Sequence, residues 1–263
     1  MLMLKALSRS IVPKKWRANL RAFQWRIELV WGPKGAIRAI PLYRRFLQDL
    51  RFYRSLPDAE QIESIDLWPC LFDKTATSPI PPHYFYQSAW AARRILQANP
   101  THHIDVGSQL DLLAPLSAVL PITSIDIRPL MVSLHNLRSV SASLLALPFK
   151  DNSVTSVSCL HVIEHIGLGR YGDGLDPLGT QKAADELSRI LAINGNLFIS
   201  TPIGRERVCF NAHRVHRPDN ILNFFKNQSL VEFSCEDDLG RFLEDANPSD
   251  YKTANYACGL FLV

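Results

Sequence analysis

The chain has 263 residues, 47% of them hydrophobic and 21% charged, proportions of an ordinary globular protein that exclude wholesale disorder. Its formal net charge of +4 conceals two unlike parts: residues 1–54 hold thirteen Lys and Arg against only Glu28 and Asp49, a balance of +11, and the rest stands at −7. The five cysteines, Cys70, Cys159, Cys209, Cys235 and Cys258, form no close pair, which argues for reduced thiols in a cytoplasmic setting and against a disulfide framework or a cysteine-rich zinc site.

The apolar opening Met1–Leu4 is too short for a secretory leader. Uncharged runs such as Leu112–Ile125, broken by Pro115 and Pro121, fall short of the ~20 residues that cross a bilayer. The basic region 1–54 reads as a helical extension. Trp16, Leu20, Phe23, Ile27 and Val30 recur at steps of four and three and share one face of a helix over Lys14–Trp31. Gly32-Pro33 stops it. A second helix is expected to start at Pro41, burying Tyr43, Phe46, Leu47 and Leu50 and exposing Arg44, Arg45, Arg51 and Arg54. Such a pair either packs on protein or lies on an anionic membrane surface, which would place the protein at the inner face of a membrane. No nucleic-acid partner is expected, because no nucleic-acid module accompanies the charge.

Residues 55–83 form a Pro-rich connector, and a helix is expected over Tyr84–Gln97. The third part, 84–263, alternates strands and helices, the signature of a parallel sheet. Strands are expected at His103–Val106, Ile122–Asp126, Leu144–Leu147, Val154–Leu160, Asn196–Thr201, Leu230–Cys235 and Ala257–Val263. Helices are expected near Leu110–Leu120, Leu130–Arg138, His161–Ile166, Thr180–Ile193 and Asp219–Asn227. No helix of convincing length separates the last two strands, so they read as a closing antiparallel hairpin. The expected architecture is a seven-stranded, mostly parallel Rossmann-like sheet.

Three segments carry chemistry. In His103-Ile-Asp105-Val-Gly107-Ser108 a strand ends beside a carboxylate, and a glycine lets the backbone turn tightly against a ligand. About twenty residues on, Ser124-Ile-Asp126-Ile127 puts a second carboxylate where it can accept bonds from ribose hydroxyls, with Ile127 placed to pack on a base. The third is Leu147-Pro-Phe-Lys-Asp151-Asn-Ser153 leading through a strand to His161-Val-Ile-Glu164-His165, followed by Asp185-Glu-Leu-Ser-Arg-Ile-Leu191 and Asn194-Gly195. This third run is similar to the small-molecule class I methyltransferases that use S-adenosylmethionine. Glu164–Gly179 with Asn211-Ala-His213-Arg214 more narrowly resembles an uncharacterised, domain-of-unknown-function branch with bacterial members, some linked to surface-polysaccharide biosynthesis.

The resemblance implies a Rossmann-like class I methyltransferase fold and S-adenosylmethionine as cofactor, held by Asp105, Gly107, Ser108, Asp126, Ile127, Ser143, Leu144 and His161. Two departures bear on it. Gln109 and Asp111 replace the later glycines of the first loop, and Ser143 stands where many relatives carry an aspartate. A methyl acceptor with a hydroxyl needs a base, for which histidine suits neutral pH. His161 or His213 takes that role, with Glu164 orienting an imidazole, and His165 and His216 are expected on the same edge. The glycine-rich segment 167–179 offers Arg170, Tyr171 and Asp173 to substrate, joined by Arg214 from downstream.

His161-Val-Ile-Glu164-His165 also matches the His-x-x-Glu-His pattern of zinc peptidases, with Glu236 or Glu244 as third ligand. That chemistry needs both histidines one turn apart on a continuous helix, whereas His161 falls at a strand end. No metal is therefore expected. The sequence favours a methyltransferase acting on a small-molecule or saccharide-like acceptor. The alternative is a catalytically degenerate protein of this fold that binds glycan or protein.

Overall fold

The computed structural model describes residues 33–263, which fall into two compact units that divide between Pro79 and Ile80. The helix expected over Lys14–Trp31 lies outside the described residues.

The first unit contains helix α1 (Pro33–Arg54) and a short 3-10 turn at Ser64–Asp66. The helix begins eight residues before the expected Pro41, which sits inside it. Pro33 takes the first-turn place, where a missing N–H costs nothing, and Pro41 forfeits a single backbone bond. The expected burial of its apolar face is not observed: Tyr43 is 44% exposed and stacks on Phe46, and Phe46, Leu47 and Leu50 are only half-buried. Arg44, Arg45, Arg51 and Arg54 are exposed as expected. Among the described residues no helix is long and apolar enough to cross a membrane.

The second unit opens with α2 (Pro82–Ala98), which carries a proline at its first turn and ends at Asn99 in the left-handed conformation, φ 47°. It is followed by β1 (His103–Val106), α3 (Leu110–Leu116), β2 (Ile122–Asp126), β3 (Leu137–Ser141) and β4 (Val154–Leu160). Then come a 3-10 turn at Ile163–His165, α4 (Gly179–Ile190), β5 (Leu191–Ile203), the hairpin β6 (Arg207–Cys209) and β7 (His213–Val215), and α5 (Pro218–Phe224). The chain closes with β8 (Glu232–Glu236), β9 (Phe242–Leu243) and β10 (Ala257–Leu262).

The main sheet is eight-stranded in the order β3-β2-β1-β4-β5-β10-β8-β9. Strands β3 to β5 are mutually parallel, and β10 lies antiparallel between β5 and β8. This is the Rossmann-like class I methyltransferase arrangement, with one short strand more than the seven expected. β4 is buried on both faces, as a central parallel strand must be. Two apolar layers cover the sheet. One joins Trp90, Ile95, Leu113, Leu116 and Phe198, and the other joins Ala183, Leu187, Ile190, Ile199 and Phe261.

Three local expectations are corrected. Leu130–Arg138 forms no helix; the chain crosses from β2 in a short loop, turns at Asn136 (φ 61°) and enters β3 by Leu137. The third strand is therefore Leu137–Ser141, not Leu144–Leu147, because Ile122 N–H bonds Asn136 O and fixes β3 beside β2 at that register. The strand expected from Asn196 begins earlier, at Leu191, and takes in Asn194-Gly195: Val154 pairs Leu191 and Ser156 pairs Asn196, so the extra residues bulge out of β5.

Candidate functional site

The carboxyl ends of β1, β2 and β4 meet at a cavity of about 120 Å³ lined by Gly107, Asp126, Ile127, Ser143, Leu144, His161, Tyr171 and neighbours. β1 ends on Asp105, which is wholly buried. Its Oδ1 accepts Ser158 Oγ–H at 2.6 Å and its Oδ2 accepts Ser108 N–H at 3.2 Å. Ser108 Oγ in turn accepts Leu160 N–H at 3.0 Å, so the first loop is tied to β4. Burial pushes the Asp105 carboxyl up to about 6, against the pull of these hydrogen bonds.

Gly107 has φ 69°, and a side chain there would place its first carbon 3.1 Å from Val162 and 3.8 Å from Asp126 Oδ2. The glycine is thus required twice, for its dihedral and for the space between two walls. Asp126 Oδ1 accepts Arg128 N–H at 2.7 Å, and Oδ2 faces the glycine. Gln109 and Asp111, the two departures in the first loop, do not line this cavity; Asp111 faces a groove between α2 and α3.

The far side of the cavity is closed by the glycine-rich segment. Tyr171 lines it and packs beneath the Arg128 guanidinium, 4.4 Å from the ring centre. Asp173 also reaches the cavity wall, but its carboxylate is spent on its own loop, accepting Gly167 N–H at 2.7 Å and Tyr171 N–H at 3.2 Å. Those backbone bonds outweigh burial and hold its carboxyl below the ordinary value. Arg170 stacks on Tyr171 and donates to Ala212 O. Arg214 is not brought to the cavity: it is 7% exposed and braces the loop by donating to Ile166 O and Asp176 O.

His161 follows the last residue of β4 with φ 54°, a conformation that few residues bearing a Cβ adopt and that concentrates at functional sites. Its Nδ1 lies 3.0 Å from Glu164 Oε1, and its Nε2 lies 3.3 Å from Cys258 Sγ. Glu164 is wholly buried. Burial alone would raise its carboxyl, but His161 and His165 outweigh that and hold it lowered. His165 turns its Nδ1 to Ala212 O at 2.6 Å. The continuous helix of a zinc peptidase is therefore absent, since His161 precedes a 3-10 turn of three residues.

His213 stands across the edge, 5.1 Å ring to ring from Tyr256, with its imidazole lowered chiefly by burial. His216 lies apart, 3.3 Å from Thr180 Oγ1. Residues from two remote elements complete the edge. α2 delivers His83 and Tyr84, whose rings lie 5.4 and 5.5 Å from that of His161, and Cys258 and Tyr256 come from the start of β10. The sequence reading missed His83 and Cys258, for which no local motif signals a role. A larger cavity, about 1030 Å³, lies elsewhere, among Asn152, Asp185, Asn194 and Lys226 near the amino ends of β4 and β5, away from the edge where such sheets bind ligands.

Comparison with known proteins gives two findings. The family described as "Caenorhabditis protein of unknown function, DUF268" matches residues 135–241. Solved structures are similar at low identity. N-methyltransferase NodS from Bradyrhizobium japonicum WM9, in complex with S-adenosyl-L-homocysteine, is 14% identical, with 82% of this chain and 95% of that chain covered and a TM-score of 0.47. The Burkholderia thailandensis 1,6-didemethyltoxoflavin-N1-methyltransferase is 12% identical over 68% of this chain and 77% of its own, TM-score 0.46. The [4+2]-cyclase SpnF is 12% identical over 67% and 80%, TM-score 0.49. None of the curated proteins matches.

Proposed function

We propose that this chain is an S-adenosylmethionine-dependent methyltransferase acting on a small-molecule or saccharide-like acceptor. The observation that carries the reading is the pairing of Gly107, whose positive φ exposes backbone to the cavity, with Asp126 Oδ2 opposite it. Asp126 would bind the ribose hydroxyls, Ile127 and Leu144 would sandwich the adenine, and Ser143 and the backbone at Gly107 and Ser108 would hold the polar edges. The buried Asp105 positions that loop through Ser108 and Ser158. These residues fit the cofactor in kind. The cavity of about 120 Å³ is smaller than the ~300 Å³ at which ligand pockets begin, so Tyr171 and Arg128 must part for it to enter.

When bound, S-adenosylmethionine supplies an electrophilic methyl group on its sulfonium. The chain's own contribution is to place an acceptor and remove its proton. Glu164 Oε1 and Cys258 Sγ stand 3.0 and 3.3 Å from the two ring nitrogens of His161, a crowding that favours His213 as the base. Burial lowers its pKa and keeps it neutral and able to accept. Tyr171 lines the cavity with Arg170 stacked on it, and Asp173 shapes the approach by fixing the loop.

The narrowness of the cavity favours a second reading, a protein of this fold that binds glycan or protein without catalysis. Titration with S-adenosylhomocysteine separates the two: no binding at millimolar ligand by folded protein would overturn the methyltransferase reading. For residues 1–54 the proposed partner is an anionic membrane surface. Exposed Ile40, Tyr43 and Phe52 share α1 with exposed arginines, a composition that suits headgroups and interface together. Failure of the full chain to float with anionic liposomes would refute it.

A further inference from the structure

We infer that His83, His161 and Cys258, with Glu236 as fourth ligand, form a site for a divalent metal ion of zinc's type. This inference goes beyond the methyltransferase reading and does not rest on it.

One ligand atom from each of His83, His161 and Cys258 can be chosen so that all three lie within 4.8 Å of one another, and the His161 Nε2 to Cys258 Sγ distance is 3.3 Å. Tetrahedral zinc with bonds of about 2.0–2.3 Å holds its ligand atoms about 3.3–3.6 Å apart, so a contraction of about 1 Å completes the set. The fourth ligand, Glu236, stands outside that 4.8 Å group and has to swing in from the neighbouring strand. Cys258 is the direct partner of Glu236 in the β10–β8 ladder, and directly opposed residues point to the same face. Glu236 is 3% exposed, and its Oε2 comes to 2.8 Å from His83 Nε2 yet accepts no hydrogen bond of proper geometry.

Charge points the same way. Glu164 and Glu236 are both buried, and among the described residues neither pairs with a lysine or arginine; Glu164 faces His161 and His165, and Glu236 faces His83 with the acidic Asp237 and Asp238 close by. Two buried carboxylates without a permanent cation are costly. A divalent ion held by two neutral imidazoles, one thiolate and one carboxylate has no net charge at its centre, and it lies beside the second carboxylate. On binding, Cys258 gives up its thiol proton to solvent, and each histidine ligates through an unprotonated nitrogen.

The surroundings also have the form of a supporting shell. Histidine ligands characteristically donate their other N–H to a carboxylate, which fixes the tautomer and ring plane. Glu164 Oε1 stands beside that place, 3.0 Å from His161 Nδ1 and with its lone pairs not yet hydrogen-bonded, while Nε2 faces Cys258. Tyr256 and Tyr84 pack against the His83 and His161 rings. The mix of nitrogen, sulfur and one oxygen selects zinc over magnesium or calcium, which prefer all-oxygen sets. The ligands come from α2, the turn after β4, β8 and β10, so this is not the zinc-peptidase pattern, which would use His165.

The test uses the full chain, stripped with chelator and titrated with cobalt(II) and with zinc(II). Expected are one equivalent of metal per chain and a thiolate-to-cobalt charge-transfer band that zinc abolishes. Cys258→Ser should lose the band, and Glu164→Gln should bind about 10–100-fold more weakly. Absence of the band in folded wild-type protein, or its persistence in Cys258→Ser, would overturn the site. Should Cys258→Ser unfold by circular dichroism, His83→Gln serves instead: at least a tenfold weaker affinity supports the site, and an unchanged one refutes it. S-adenosylhomocysteine binding, read on the same samples, reports on the methyltransferase reading separately.

Discussion

Glu164 Oε1 lies 3.0 Å from His161 Nδ1, with the two side chains 0% and 7% exposed, at the point where β4 leaves the sheet. The contact is one of charge and proximity, since neither Glu164 oxygen accepts a hydrogen bond of proper geometry, and the other ring nitrogen is turned toward Cys258 of β10. His161 is thereby a directed group, even though its backbone must adopt φ 54° to present it.

The cofactor assignment rests on Asp126. Asp126→Ala should weaken S-adenosylhomocysteine binding at least tenfold by calorimetry, because hydrogen bonds to a charged acceptor contribute about 1.5–3 kcal/mol each. The fold should persist, since Asp126 is half-exposed and, among the described residues, its side chain accepts one hydrogen bond, from Arg128 N–H. Normal binding by this variant would remove the ribose assignment.

His213→Gln should lower kcat by about 10²–10⁴, the range for a lost general base, with S-adenosylhomocysteine affinity unchanged. Because burial lowers the His213 pKa, the wild-type rate should rise with pH and level off below the ordinary histidine value. A profile that levels off above that value would exclude His213 as the base.

Asp105 makes a prediction for stability. Its folded value of about 6 exceeds the unfolded value of ~3.9, so the folded state holds the proton more tightly. The associated stability is fully present below about pH 4 and is lost as pH rises through 6, about 3 kcal/mol in all. Asp105→Asn should remove this component, which the difference between wild-type and variant urea midpoints across pH 4–7 would show. Glu236, raised to about 7 by burial and its acidic neighbours, contributes to both proteins and cancels. Parallel profiles would disprove the assignment.

Arg189 binds Glu186, Asp151 and the carbonyls of Leu147 and Phe149. It clamps the turn before β4 to α4. Arg189→Ala should lower the urea midpoint of unfolding, chiefly through the lost bonds to the Leu147 and Phe149 carbonyls, because solvent screens the exposed ion pairs. Denaturant unfolding measures this directly, and an unchanged midpoint would mean the clamp contributes little.

What the sequence determined by itself was local. Strands β1, β2 and β4 and the turn glycine Gly107 were legible because each is fixed by neighbours along the chain: runs of buried apolar residues, a positive φ, a carboxylate at a strand end. The missing helix after β2, the true position of β3 and the bulge at Asn194-Gly195 were not, because hydrogen bonds to adjacent strands override the helical spacing of Leu130, Leu134 and Leu137. The site divides in the same way. Asp105, Gly107, Asp126, His161 and Glu164 sit in recognisable runs, and Arg214 looked equally promising until its bonds to loop carbonyls appeared. His83 and Cys258 carry no local signal, and Glu236 entered only as one of two third ligands of a peptidase pattern. They meet His161 only because β10 inserts between β5 and β8, pairing Cys258 with Glu236, and because α2 begins above that edge. Pairing between distant strands is set by the whole sheet, and only the tertiary structure decided it.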